Sequence, residues 1–179
     1  PNTDIVLLPT DGSGTFTNLT SGNRYGDDNP RFTPDGSSVL YTRVATANSQ
    51  GELRRLWRVS LADRKSTPLT DAIDLSIEDV AFSADGRRLW LQAEDRGMVP
   101  VFAMDATGGG VSKIVANGSN TELDSADGQL VFLGETSSRA PELFALDAGG
   151  KPRQLTRFND DLFAGLDLGK VESHEFQGA

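Results

Sequence analysis

Few side chains in this sequence could make or break bonds. Its 179 residues include one histidine, His174, and no cysteine, which excludes a thiol nucleophile, a Cys-ligated metal and a histidine-rich metal site. A Ser-His-Asp triad needs an imidazole held between hydroxyl and carboxylate, and hydrolase nucleophiles of that kind commonly sit in a Gly-x-Ser-x-Gly elbow. No segment reads that way, and His174 stands alone in the terminal segment. The neighbouring carboxylates Glu94 and Asp95 suit acid–base work by type, but adjacent residues on a strand point to opposite faces and hairpin ends are commonly acidic. Asp27-Asp28-Asn29 offers oxygen ligands to a hard cation; no loop of alternating ligands follows, so the cluster reads as a solvated loop. Arg54, Arg55 and Arg58 could meet a carboxylate of a substrate or of a neighbouring domain, the plainer reading being a solvated edge that blunts strand pairing. No catalytic, cofactor-binding or metal-ligating residue is assigned, and no cofactor is expected.

The elements that would position any site are legible in one stretch. Between Asp79 and Val115 the apolar residues fall into four short runs, Val80 to Phe82, Leu89 to Leu91, Val101 to Met104 and Val111 to Val115, each closed by Asp, Gly or Ser. Four strands are expected. In Phe82-Ser-Ala-Asp85-Gly86 the Asp can bond the backbone ahead of it while the Gly takes a positive φ without a Cβ penalty, which closes a hairpin. The pattern also stands 50 residues earlier, at Phe32-Thr-Pro-Asp35-Gly36, and 42 residues later, at Asp124-Ser-Ala-Asp127-Gly128. An Asp that ends the third strand recurs at Asp63, Asp105 and Asp147, and a Leu-Thr pair after the fourth at Leu19-Thr20, Leu69-Thr70 and Leu155-Thr156. Four strands repeated at roughly 40 to 50 residues are the signature of propeller blades. The expected fold is all-β, a partial β-propeller of about three and a half four-stranded antiparallel blades.

Taken in order, residues 1–22 read as the outer half of a blade, with strands at Ile5 to Leu8 and Thr15 to Leu19. Blades follow at 23–71, 72–117 and 118–159, and 160–179 is a terminal segment in which the spacing of turns and strands breaks. The connection from Ala45 to Gly51 is longer than its counterpart in the next blade, as a functional loop or a tolerated insertion would be. Asp124 occupies the place of Phe32 and Phe82, so looser packing is expected there, with Leu123 as the nearest apolar substitute. Trp57 and Trp90 fall on alternating strands and read as core or blade-to-blade packing.

Composition narrows the partners. Seventeen basic against 26 acidic residues give a net charge of −9, which repels phosphate backbones and anionic lipid, so neither nucleic acid nor membrane is an expected partner. No run of about 18 apolar residues could span a bilayer. The first residues have neither the basic start nor the apolar stretch of a signal peptide, and the chain is expected to begin inside a folded unit. Without cysteine the redox compartment is undetermined, periplasm and cytoplasm being equally compatible. The sequons Asn18-Leu-Thr20 and Asn117-Gly-Ser119 matter only in a glycosylating, secreting cell.

The segments Phe32-Thr-Pro-Asp-Gly-Ser-Ser-Val-Leu-Tyr-Thr-Arg43 and Phe82-Ser-Ala-Asp-Gly-Arg-Arg-Leu-Trp90 resemble the non-catalytic propeller repeats of the prolyl oligopeptidase family of serine peptidases. Similar repeats occur in the Tol-Pal propeller protein and in oligogalacturonate lyases. The tail discriminates: Leu155-Thr-Arg-Phe-Asn-Asp160, then Leu166-Asp-Leu-Gly-Lys-Val-Glu-Ser-His-Glu-Phe-Gln-Gly178, resembles the passage by which acylaminoacyl- and dipeptidyl-peptidase-like members leave the last blade and enter an α/β-hydrolase domain. The resemblance implies a propeller that gates peptide access to that domain, with the hydrolase domain of the same parent chain and peptides as partners. It carries over no catalytic residue. A free-standing Tol-Pal-like interaction scaffold is the rival, and a lyase would call for several metal-ligating histidines. Half a propeller would also leave blade faces open, through which copies of the chain could associate.

Overall fold

The computed structural model describes residues 2–46, 51–147, 150–174 and 176–177. Strands make up 45% of the chain and helix 2%, so the fold is all-β, as the repeats predict. Two short strands, β1 (Val6–Leu7) and β2 (Thr17–Asn18), pair first. A four-stranded sheet follows, made of β3 (Asp27–Phe32), β4 (Ser38–Arg43), β5 (Arg55–Ser60) and β6 (Ser66–Pro68). The second contains β7 (Ile77–Phe82), β8 (Arg88–Ala93), β9 (Val101–Asp105) and β10 (Ser112–Val115). The third contains β11 (Ser119–Ala126), β12 (Gln129–Thr136), β13 (Arg139–Leu146) and β14 (Pro152–Gln154). Every pair is an antiparallel neighbour in sequence, the meander of a propeller blade. A four-residue helix, α1 (Asp160–Phe163), is the only one among the described residues, and it is too short to cross a membrane. Most of the connection from Ala45 to Gly51 lies outside the described residues, and with it the choice between functional loop and insertion.

The first two Asp-Gly turns are built alike. The Thr33 and Ser83 hydroxyls donate to Asp35 and Asp85 at 2.6 and 2.7 Å, and the backbone N–H of Ser37 and of Arg87 donates to the same carboxylates. The Thr33 hydroxyl first, then the Ser37 N–H, holds the Asp35 carboxyl down from 3.8 to about 2. Asp85 is lowered in the same way, chiefly by Ser83. Gly36, Gly86 and Gly128 all have positive φ, at 67°, 66° and 78°. The third turn departs from the other two. Ala126 pairs directly with Gln129, and Asp127 has φ 49°, so it is a two-residue hairpin with both central residues left-handed. Because that turn is shorter, register and spacing disagree. Counted through the strand partners, Ser125 occupies the place of Phe32 and Phe82, and Asp124 that of Arg31. Leu123, the nearest apolar residue, is buried in the adjoining core.

The Leu-Thr pairs have a clear physical role. The Thr20, Thr70 and Thr156 hydroxyls accept the backbone N–H of Ile5, Leu56 and Leu143 at 2.9, 2.8 and 2.9 Å, stitching the end of each outer strand to the start of the strand before it. Ala116 stands in that place in the second blade and can form no such bond.

The apolar cores lie between sheets. Leu40, Leu56 and Leu69 of the first blade pack against Ile77, Val80 and Leu91 of the second. Ala81, Trp90 and Ala103 of the second pack against Leu123, Phe132 and Phe144 of the third. Ile5 and Leu19 pack against Val39 and Tyr41, with Trp57 at the margin. Both tryptophans thus serve packing. Backbone bonds cross the same seams: the N–H of Asp27, Ile77 and Asn120, each near the start of an inner strand, donates to the carbonyl of Thr3, Arg54 and Val99, all at 2.9 Å.

Candidate functional surfaces

The three inner strands β3, β7 and β11 lie side by side where the axis of a propeller runs, and between them opens a groove of about 330 Å³ lined by Arg31, Phe32, Val80, Phe82, Leu123 and Asp124. Each inner strand carries a bulge that re-aims its side chains, at Asn29 (φ 53°) in β3, beside Glu78 in β7 and at Glu122 (φ 54°) in β11. Asn29 Nδ2 donates to the Glu78 carbonyl at 3.2 Å, and Arg31 meets Asp79 at 3.4 Å. The wall therefore presents charge of both signs on a rigid backbone.

A second surface is the face carrying the connections from second to third strand, where crevices open between blades. One, of about 570 Å³, lies between the first and second blades and is lined by Glu52, Arg54, Ser76, Glu78 and Glu94. There Arg54 Nη1 contacts Glu78 Oε2 at 2.7 Å, and the Ser76 hydroxyl donates to Glu78 Oε1 at 3.1 Å. Another, of about 370 Å³, lies between the second and third blades under Arg139.

The sequence candidates fall out as follows. Arg55 and Arg58 are not at a sheet edge, because β5 is flanked on both sides by β4 and β6, and Arg54 immediately precedes that strand. Arg54 ties the first blade to Glu78 of the second, and Arg55 donates to the carbonyls of Thr70 and Ile73. Arg58 lines a groove shared with Asp35 and Phe82. The acidic cluster is not a solvated loop either. Asp27 lies in β3 with 1% of its surface exposed, and its carboxylate accepts from Arg43 Nε at 2.8 Å and from Asn23 Nδ2 at 3.1 Å. The Arg43 guanidinium in turn lies 4.5 Å from the Trp57 ring centroid and 5.2 Å from that of Tyr41. Burial without that partner would be prohibitive for a carboxylate, which is why the acid and the arginine face each other across the β3–β4 ladder. Among the described residues no group of three His, Asp or Glu side chains could hold a metal ion. Asp95 pairs with Lys113, whose hydrogen bond holds the Asp95 carboxyl below its ordinary range, while Glu94 lines the crevice between the first and second blades. His174 Nε2 lies 3.5 Å from Glu172 Oε2, with both side chains more than 70% exposed.

The geometry defines a class of fold: consecutive blades of a β-propeller, held by their seams. No protein-family model matches the chain. It is 29% identical over 111 residues to dipeptidyl-peptidase 5 of Trichophyton schoenleinii, a match covering 57% of this chain and 15% of that protein. The alignment thus spans about 15% of the length of the curated relatives first matched. In fold it is similar to Pyrococcus horikoshii acylaminoacyl peptidase, with TM-score 0.69 and 22% identity over 92% of this chain and 24% of that one. The β-propeller domain of the trilobed protease from Pyrococcus furiosus gives 0.66 and 22%, over 91% and 46%. TolB from Acinetobacter baumannii gives 0.67 and 21%, over 86% and 37%. The chain resembles the propeller blades of the prolyl oligopeptidase family of peptidases, and about three and a half such blades are present.

Proposed function

We propose that these blades form part of a propeller that restricts peptide access to an α/β-hydrolase domain of the same polypeptide. The observation that carries this reading is the 29% identity to dipeptidyl-peptidase 5 in a chain that folds as blades followed by a short tail. A ring of packed blades over a catalytic site acts as a size filter, admitting short or extended peptides into a space from which water and folded proteins are excluded. On this reading the chain supplies no catalytic, cofactor-binding or metal-ligating residue; its part is steric and orienting, with the inner-strand groove facing the peptide path. The open sides of the terminal blades meet further blades of the parent or, in isolation, a second copy of the chain.

The test compares the chain alone with a polypeptide extended past residue 179 into the hydrolase domain, on a short chromogenic peptide and on a folded protein. The chain alone turns over neither. The extended form cleaves the short peptide, and deleting the blades widens the accepted lengths while leaving the smallest substrate comparatively unaffected. Removal of a whole triad and its oxyanion hole lowers rates by many orders of magnitude, so the contrast is unmistakable. Turnover by the chain alone, or an extension without a serine elbow, would overturn the reading. In that event the fold similarity to TolB favours the second reading, a propeller acting as a protein-interaction scaffold.

A further inference from the structure

The seam between the second and third blades repeats a site of the first blade with one charge missing. In the first blade the cross-strand pair Tyr41 and Trp57, opposed across β4 and β5, is covered by Arg43, and Arg43 is paired with Asp27. The same register in the third blade holds Phe132 and Phe144, ring centroids 5.7 Å apart and 19° from parallel. The position of Arg43 is there taken by Gly134, on which a Cβ would meet the Phe144 ring at 3.0 Å. The cation arrives instead from the start of β13: the Arg139 guanidinium lies 4.8 Å from the Phe144 ring centroid. Asp27 has as its counterpart Asn120, which faces Gly134 as Asp27 faces Arg43. Asn120 brings no charge, and its amide nitrogen is engaged by the carbonyls of Val99 and Asn117 at 2.9 and 3.0 Å.

Arg139 is thus left without its carboxylate. Its Nε is buried and has no hydrogen-bond partner among the described residues. Beside it opens the crevice of about 370 Å³, lined by Ile114, Phe132, Thr136, Phe144 and Pro152, in which Arg139 is the only charged residue among the described residues. Arg139 is half-buried as a whole, and its unpaired guanidinium beside apolar walls suits an incoming anion with an apolar body, which meets both the charge and the walls. We propose that this crevice binds a free carboxylate carried on a small apolar group, such as the C-terminal leucine or phenylalanine of a peptide, with Arg139 taking the carboxylate in the role that Asp27 fills for Arg43. The chain's net charge of −9 repels anions at large, so binding depends on this local arrangement.

The probe is N-acetyl-L-leucine, titrated into the isotope-labelled chain to about 20 mM, a range suited to millimolar affinity, while the Arg139 Nε–H and the Asn120 and Gly134 amide resonances are followed. A saturable shift at these three positions is expected. N-acetyl-L-leucinamide, which lacks the charge, and acetate, which lacks the apolar body, should each bind about tenfold more weakly or worse. Arg139→Gln should lose the response. Thermal unfolding of Arg139→Gln should register a folded chain, so that the lost response reports the missing charge. Equal binding of acid and amide, an undiminished response in Arg139→Gln, or no saturable shift would overturn the proposal.

Discussion

The seam between the first and second blades and the outward side of the third blade are built from equivalent residues and differ in what covers them. Leu40, Leu56 and Leu69 of the first blade correspond through strand register to Val131, Leu143 and Leu155 of the third. Leu69 is 8% exposed and Leu155 is 40% exposed; Leu40 and Leu56 are buried, whereas Val131 and Leu143 are half-buried. The same contrast appears at the other end, where Phe82 packs on the seam core and Phe32, with no inner strands of a preceding blade beside it, is 57% exposed. Strand pairing is complete in both blades. What differs is the neighbour, so the apolar contribution to stability belongs to seams, as in other repeat architectures where units contact only their neighbours.

The largest expected effect comes from cutting a covered seam. Leu56→Ala should destabilise by about 3 kcal/mol, and Leu143→Ala, its half-buried equivalent, by about 1 kcal/mol. Chemical denaturation of the two variants measures the difference, and equal losses would break the comparison. The buried ion pair within the first blade is next. Asp27→Ala strands Arg43 under Tyr41 and Trp57 and should cost about 2 kcal/mol, less than a fully buried pair because the Arg43 side chain remains 16% exposed. A calorimetric scan that left the melting temperature unchanged would remove the ion pair from the account. Turn contacts across seams are smaller. Gly86→Ala should cost about 1 kcal/mol from its positive φ alone, and Gly128→Ala more, because its Cβ would stand 2.6 Å from the Ala84 Cβ of the second blade. The smallest effect is a pH dependence within a turn. The Asp35 carboxyl titrates at about 2 instead of 3.8, so its contribution is fully present above the unfolded value and is lost as pH falls through the folded one. Asp35→Asn should therefore lose less stability than the parent between those two pH values, and parallel acid titration curves would contradict it.

The strands and blade count were legible because short apolar runs closed by Asp-Gly or Leu-Thr are local patterns, and the order of elements follows them. The turn of the third blade was misaligned for an equally local reason: spacing counted from Asp-Gly assumes one loop length, and the two-residue hairpin at Asp127 shifts the register by one. Asp27 looked like part of a solvated loop because its partner Arg43 lies across a hairpin, and no residue next to it in sequence reveals the burial. Arg54 and Arg55 were misplaced because their acceptors, Glu78 and Ile73, belong to the next blade and its approach. Arg139 had no sequence signal at all. Its missing carboxylate becomes visible only when Asn120 is set against Asp27 through the ladders that superimpose the two blades.

The claim that seams hold the blades is tested most directly by hydrogen exchange at two matched amides, Leu56 and Leu143. Each donates to a threonine hydroxyl at nearly the same distance, 2.8 Å to Thr70 and 2.9 Å to Thr156, so the direct acceptor is matched while seam burial varies. If seams set the opening energy, the Leu56 amide exchanges only in openings that separate the first and second blades, and Leu143 exchanges at least about tenfold faster. Equal protection at the two amides would mean that pairing within each blade, and not its neighbour, holds the structure together.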